Sequence, residues 1–384
     1  MDRGFIWSEP QWPALRFDAR HYATALSNAR REQGKIIGMF RAIGFDHEAD
    51  VAREIWTGEA IGTAAIEGEH LDMIVVRSSV ARRLGVVENG HVRASRNVDG
   101  LLDVMQDAVD AYREDLDGER LHRWHSALFP GGTSGIRRIN VGAYRNADEP
   151  MQIVSGPAGR ERVHYEAPPS ASVPREMDKF LAWWEGTRPD RPQRDALDGI
   201  VRAAISHLWF ETLHPFEDGN GRIGRALIDM ALAQDARSSQ RLYSMSRQLM
   251  AVREEYYENL NKAQRDGLDI SAWIAFFVNQ FVAACVTSQS VIDTAIEKNR
   301  FWVAHAQDAL NDRQRKVLRR LLDAGKGGFS GGLSAEKYAN LTGSSKATAT
   351  RDLTDLARRG LLVVTGQGRG TRYRINLPGW PSAS

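Results

Sequence analysis

Cysteine is nearly missing from this chain: its 384 residues include one, Cys285. No internal disulfide can form, so the fold is expected to rest on packing alone, in a reducing and therefore cytoplasmic setting. Cys285 lies in the helical run VNQFVAACVTS and reads as a small buried side chain rather than a nucleophile. Long apolar runs are lacking too, which argues against a bilayer span, and no membrane partner is expected. The opening residues, MDRGFIWSEPQWPALRFDARHYA, carry charge and tryptophan where a signal segment would have an apolar core. There is no tandem repeat and no low-complexity tract. What is present suits a globular chain of two or three domains, with 42% hydrophobic and 26% charged residues.

Net charge is also small, +2 from 51 Lys+Arg and 49 Asp+Glu, but it hides an asymmetry. From Asn311 onward 14 Lys+Arg face 5 Asp+Glu, a balance of +9 that leaves −7 for the rest. A basic C-terminal region on an acidic body implies separate tasks and makes nucleic acid a candidate partner for that region.

Helical periodicity dominates, so the expected class is mainly α. Apolar residues recur at helical spacing in ARHYATALSNARREQGKIIGMFRAIG, which ends at Gly44, and in EADVAREIWTGEAIGTAAIEG, which stops at Gly68. VDGLLDVMQDAVDAYRE, GERLHRWHSALFP, VPREMDKFLAWWEG, ALDGIVRAAISHLWFETL, VREEYYENLNKAQRDG and DISAWIAFFVNQFVAACVTS continue the pattern. One break interrupts it. In GGTSGIRRINVGAYRNADEPMQIVSGPAGRERVHYEAPP, β-rich runs flank Gly-Pro-Ala-Gly, which reads as a hairpin.

The informative stretch is ETLHPFEDGNGRIGRALIDMA, residues 211–231. The glycines and asparagine of DGNGR favour a turn. Helical spacing then resumes, with Ile223, Leu227 and Met230 on one face. Asn220, Gly221 and Arg222 therefore open a helix, where free N–H groups and the positive end of the dipole attract anions. Arg222 and Arg225, three apart, can both reach a polyphosphate. Asp218 is out of place beside an anion unless it holds a divalent cation; magnesium takes a carboxylate together with phosphate oxygens. His214, at the end of the preceding helix, has a pKa suited to a general base. The plainer reading is a helical corner with a solvated basic end, and the fixed order of these residue types weighs against it.

HPFEDGNGRIGR resembles the signature of Fic (Fido) proteins, His-x-Phe-x-Asp/Glu-Gly-Asn-Gly-Arg-x-x-Arg, with every fixed position filled. The resemblance implies a helical Fic core with a β-hairpin flap. It implies transfer of AMP from ATP, with Mg2+, to a Ser, Thr or Tyr hydroxyl of a protein substrate, automodification included. By the same resemblance His214 deprotonates the hydroxyl and Asp218 is the Mg2+ ligand. Gly219, Asn220 and Gly221 hold the α/β-phosphates, and Arg222 supports them with Ile223 and Gly224 in the same turn. Arg225 takes the γ-phosphate. MQIVSGPAGRERVHYEAPP matches the flap, which puts Val154, Ser155 and Gly156 near nucleotide and target. REEYYENLNKAQRDG is similar to a segment that contacts the nucleoside, making Tyr256 and Gln264 candidates; core packing is the competing reading.

TAAIEGEHLD fits the Fic inhibitory pattern Ser/Thr-x-x-x-Glu-Gly/Asn through Thr63, Glu67 and Gly68. Many helices end in Glu-Gly with glycine as the cap. Glutamate is nevertheless unfavourable at a helix C-terminus, which implies a partner elsewhere. The resemblance makes that partner Arg225, with Glu67 filling the γ-phosphate space. The reverse role, orienting water to remove AMP from a target, stays open.

The resemblance divides the chain into an N-terminal helical domain with the inhibitory helix, 1–95, a Fic core, 114–276, a helical connector, 277–307, and a C-terminal winged helix-turn-helix, 308–378. In the last, SSKATATRDLTDLARRG is the recognition helix, capped by Ser344 or Ser345. LLVVTGQGRGTRYRINL is two strands around a tip with Arg369 and Arg372. That arrangement makes DNA a candidate partner. Dimerisation or partner docking is the competing use, and a homodimer is a candidate. Trp7 and Trp12 are expected to pack. Two alternatives remain open: a related Fic transferase that uses another donor or removes AMP, and a nucleotide-sensing DNA-binding regulator.

Overall fold

The computed structural model describes residues 4–43, 45–86, 95–155, 162–189, 191, 197–325, 329, 331–378 and 380. Gly44 and Gly156 lie outside the described residues, as do the side chains of Val154, Ser155 and Arg369. The chain forms two compact units, Met1–Val291 and Ile292–Ser384.

The first unit runs α1 (Ala23–Ile43), α2 (Phe45–Ile66), α3 (Met73–Arg83), α4 (Arg96–Asp110) and α5 (Gly118–Leu128). Two antiparallel hairpins follow, β1 (Thr133–Ser134) with β2 (Arg137–Arg138) and β3 (Gln152–Ser155) with β4 (Arg162–Glu166). Then come α6 (Val173–Gly186), α7 (Gly199–Leu213), α8 (Asn220–Ala236), α9 (Met245–Ala251), α10 (Arg253–Ala263) and the start of α11 (Ser271–Ala304). The protein is mainly α, as the periodicity predicts. The short β1–β2 hairpin and α9 carry too few residues to show a period.

The α7 and α8 helices pack against each other at the centre of the unit. Every residue of α7 is buried, so it has no solvent face and no amphipathic stripe. Its buried Arg202 is matched by Gln234 Oε1 and the carbonyl of Trp184, each at 2.8 Å. Asp198 caps α7 through the N–H of Ile200 at 2.9 Å, a contact that contributes about 1 kcal/mol. Ile223, Leu227 and Met230 of α8 are all fully buried.

The α2 helix packs on α9, α3 and α8. A Cβ at Gly62 would meet Arg247 N at 2.6 Å and the Ser246 carbonyl carbon at 2.7 Å, so only glycine permits this approach of α2 to α9. One turn earlier the buried Glu59 accepts from Ser244 Oγ at 2.7 Å, from Ser246 N at 3.0 Å and from Ser246 Oγ. These contacts fix the rotation of α2 and aim Thr63 and Glu67 at α8.

Tyr165 of β4 is buried and its hydroxyl donates to the carbonyl of Thr212 at 2.6 Å, which ties the second hairpin to the end of α7. Trp7 donates to the carbonyl of Glu166 at 2.8 Å, and the Trp12 ring meets Trp209 edge-on at 5.7 Å; both tryptophans pack. Against the expectation from the sequence, α11 contains an 18-residue window long and apolar enough to cross a membrane. That window is 61% buried inside the protein, where Trp273, Phe277, Phe281 and Cys285 supply core contacts.

The second unit holds α12 (Asp312–Asp323), α13 (Ala335–Thr342), α14 (Lys346–Arg358) and an antiparallel hairpin of β5 (Leu362–Thr365) and β6 (Arg372–Ile375). Its core joins Val317, Leu318, Tyr338, Leu353, Leu356 and Ile375. Asn311 and Gln314 cap α12 reciprocally, and Ser345 rather than Ser344 caps α14. Buried Asp352 accepts from Tyr338 Oη at 2.9 Å and Arg313 Nε at 3.0 Å, tying α14 to both preceding helices.

Candidate active site

The α7 helix ends at His214, whose backbone is left-handed at φ 45, a costly conformation outside glycine. Arg145 holds it there. Its side chain donates to the carbonyl of His214 at 2.8 Å, of Leu213 at 3.3 Å and of Pro168 at 2.5 Å, and to Ser170 Oγ at 2.8 Å. The imidazole is 13% exposed, and desolvation, seconded by the nearby Arg145 charge, pushes its pKa down to about 4. At neutral pH the ring is therefore an uncharged base.

The loop after His214 is anchored by Phe216, which is fully buried and stacked on His125 with ring centroids 4.4 Å apart. Asn220 closes the loop: its Oδ1 accepts from Phe216 N at 2.9 Å and its Nδ2 donates to Phe216 O at 2.8 Å. Both amide groups are thus used inside the loop. The Asn220 side chain braces the loop, and its backbone N–H lies in the first turn of α8. Gly219 takes φ +79 at the helix cap, and Asn220, Gly221 and Arg222 begin α8 with N–H groups that have no carbonyl one turn earlier. Ile223 N is already bonded to Gly219 O at 3.0 Å and its side chain is in the core; Gly224 is buried beside it.

Two acids from the end of α2 occupy this helix end. Glu67 Oε1 accepts from Arg225 Nη2 at 2.7 Å, and a Cβ at Gly221 would collide with the Glu67 carboxylate. Thr63 completes the grip through Oγ1 to Arg225 Nε at 2.7 Å and its carbonyl to Nη2 at 3.0 Å. Burial opposes the charge on Arg225, yet the Glu67 carboxylate outweighs it and the pKa is raised. Gly68 ends the segment at φ +80. Two residues beyond Glu67, Glu69 Oε1 lies 3.0 Å from Arg222 Nη1. The Arg222 guanidinium also covers the Phe129 ring at 4.9 Å.

Asp218 is the exposed acid of the loop, with 39% of its side chain open to solvent. It accepts from Gly219 N at 2.5 Å and from Ser134 Oγ on β1. Among the described residues no group of three His, Cys, Asp or Glu side chains could hold a metal alone. A part-exposed carboxylate beside a helix N-terminus, with Arg222 Nη2 at 3.7 Å, has the chemistry to share Mg2+ with phosphate oxygens.

Tyr256 and Gln264, the candidates for nucleoside contact, are both buried. Both are 1% exposed, and the Tyr256 hydroxyl bonds His207 Nε2 at 2.9 Å. Gln264 Nε2 is buried with no hydrogen-bond partner among the described residues. Val154 and Ser155 lie on β3, paired with Val163 and Arg162. Residues that sequence reasoning missed are Arg145, Ser134, Glu69, His125 and Glu211. Arg145 stands in the turn-rich GAYRN with no pattern around it to mark it.

Residues 115–232 match the Fic/DOC family. The chain carries a Fic/DOC domain. Residues 5–86 match a second family, described as a domain of unknown function, DUF4172. The chain is 43% identical over 65 residues to a uridine 5'-monophosphate transferase of Xanthomonas campestris pv. campestris, covering 17% of this chain and 12% of that protein. It is 28% identical over 90 residues to a probable protein adenylyltransferase of Aquifex aeolicus, covering 23% of this chain and 26% of that protein. The chain thus aligns with about a quarter or less of either relative's length.

Among solved structures, a Fic family protein from Desulfovibrio desulfuricans G20 has a TM-score of 0.51 at 22% identity, covering 94% of this chain and 97% of that one. A Fic domain-containing signalling protein from Bacteroides thetaiotaomicron has a TM-score of 0.50 at 17% identity, covering 70% of this chain and 98% of that one. These likenesses give the Fic domain its fold.

Proposed function

We propose that the Fic domain is a protein adenylyltransferase, which moves AMP from ATP to a Ser, Thr or Tyr hydroxyl of a protein and releases pyrophosphate. The reading is carried by one juxtaposition: an uncharged, mostly buried His214 beside the N-terminus of α8 with Arg222 and Arg225. In this reading the neutral ring of His214 takes the proton of the incoming hydroxyl, and that oxygen attacks the α-phosphorus. The P–O bond to the β-phosphate breaks. The N–H groups of Asn220, Gly221 and Arg222 and the two guanidinium groups neutralise charge on the phosphates. Asp218 is the residue that would hold Mg2+, which supplies further charge neutralisation when bound. The β3–β4 hairpin offers an edge to an extended target segment.

Glu67 is proposed as the inhibitor. It sits on the helix end and pairs with Arg225, where a γ-phosphate would bind. The measurement that tests the reading is label transfer to protein from α-labelled against γ-labelled ATP, with His214→Ala as control. Transfer from the γ-label alone, or transfer that survives His214→Ala, overturns it. A second donor, UTP, is favoured by the 43% identity to the uridine 5'-monophosphate transferase and belongs in the same experiment.

A further inference from the structure

The Ile292–Ser384 unit carries charge that its own fold does not use. The side chains of Arg315, Lys316, Arg319 and Arg320 on α12, and Lys346 and Arg351 on α14, are exposed and make no hydrogen bond or ion pair among the described residues. Most acids nearby are already matched. Asp323 meets Lys298 at 3.4 Å, Asp352 meets Arg313 at 3.0 Å, and Asp355 accepts from Arg358 and Arg359. Six free cations therefore face solvent.

The exposed face of α14 holds Lys346, Ala347, Thr350, Arg351, Thr354 and Arg358, while Ala349, Leu353 and Leu356 are buried. Thr350 and Thr354 each donate to the carbonyl four residues back, at 2.9 and 2.8 Å, which leaves their oxygens as acceptors and their methyl groups outward. This face has no large apolar or aromatic anchor, which a protein interface needs. It also lacks the apolar stripe of a membrane-surface helix. Thirteen residues make a rod about 20 Å long. A B-DNA major groove, about 12 Å wide, admits such a helix. The deep, narrow major groove of duplex RNA does not.

We infer that this unit binds duplex DNA, with α14 in the major groove and the α12 cations contributing phosphate attraction. The test uses the full chain, without nucleotide, and fluorescence anisotropy of a labelled mixed-sequence DNA duplex. Binding is expected at about 50 mM salt and is expected to weaken roughly 10³-fold by about 200 mM, the slope for about six neutralised phosphates. Lys346→Ala with Arg351→Ala is expected to flatten the salt slope by about 2. Thr350→Glu with Thr354→Glu is expected to abolish binding. All four positions are exposed, so circular dichroism and thermal melting are expected to match wild type. Absence of binding at low salt, variants that bind like wild type, or equal affinity for duplex RNA each overturn the inference. Because no ATP is present, none of these outcomes bears on nucleotidyl transfer.

Discussion

Glu211 Oε2 lies 3.9 Å from His214 Nδ1, and that nitrogen, like Glu211 Oε1, is buried with no hydrogen-bond partner among the described residues. Burial pushes the Glu211 carboxyl up to about 8, against the lowering by Arg225 and with the raising by Glu67. The folded protein therefore keeps a proton that the unfolded chain has released. The stabilisation is fully present below the unfolded value and is lost as pH rises through about 8. Glu211→Gln removes this dependence. Between about pH 5 and about pH 9 wild type is predicted to lose on the order of 3 kcal/mol that the glutamine variant retains. Denaturant melts across that range check it; parallel curves for the two proteins contradict it.

Thr63 and Glu67 together take most of the donors of Arg225. Glu67→Gly is predicted to raise label transfer, automodification included, at least about tenfold, equivalent to about 1.4 kcal/mol of released competition. Calorimetry is expected to show tighter ATP binding by a similar factor. Unchanged or lower transfer in the variant rules out Glu67 as the inhibitor.

Glu69 is predicted to be a weaker second lock, on Arg222. Its side chain is 46% exposed, so the pair is screened and contributes at most about 1 kcal/mol. Glu69→Ala should raise transfer by about two- to fivefold at low ionic strength, and the difference should shrink as salt is added. A gain that ignores salt would assign the effect to something other than this ion pair.

The helical class and the residues that open α8 were legible because each depends on local rules. An apolar run of helical length gives α7, periodicity gives α8, and glycine with asparagine gives the turn between them. What stayed hidden depends on long-range contact. Tyr256 reads equally well as ligand contact or core, and its bond to His207 carries no sequence signal. The bonds of the Asn220 amide to the Phe216 backbone close the loop in a way no local pattern announces. Glu69 lies beside the inhibitory pattern, but its pairing depends on how α2 is rotated on α9, which Gly62 and Glu59 fix from elsewhere. Arg145 was a single charge in a turn with no pattern around it.

That arginine carries the last prediction. Arg145 is 3% exposed, and its guanidinium fills three carbonyls and one hydroxyl around the left-handed turn at His214. Burial lowers its pKa to about 10, so it is still charged at neutral pH. Arg145→Ala leaves those acceptors unmatched and is predicted to cost about 3 kcal/mol or more. Arg145→Lys keeps the charge but cannot bridge acceptors in a fork. In the lysine variant the His214 backbone is released, and the ring loses its aim at the hydroxyl. We expect kcat to fall about 100-fold while KM for ATP stays within about twofold, because the α8 end, proposed to take the phosphates, is not held by Arg145. Steady-state kinetics of the lysine variant in a Glu67→Gly background, at a temperature where melting shows it folded, make the check. Wild-type kcat there would mean that the turn holds His214 without the arginine.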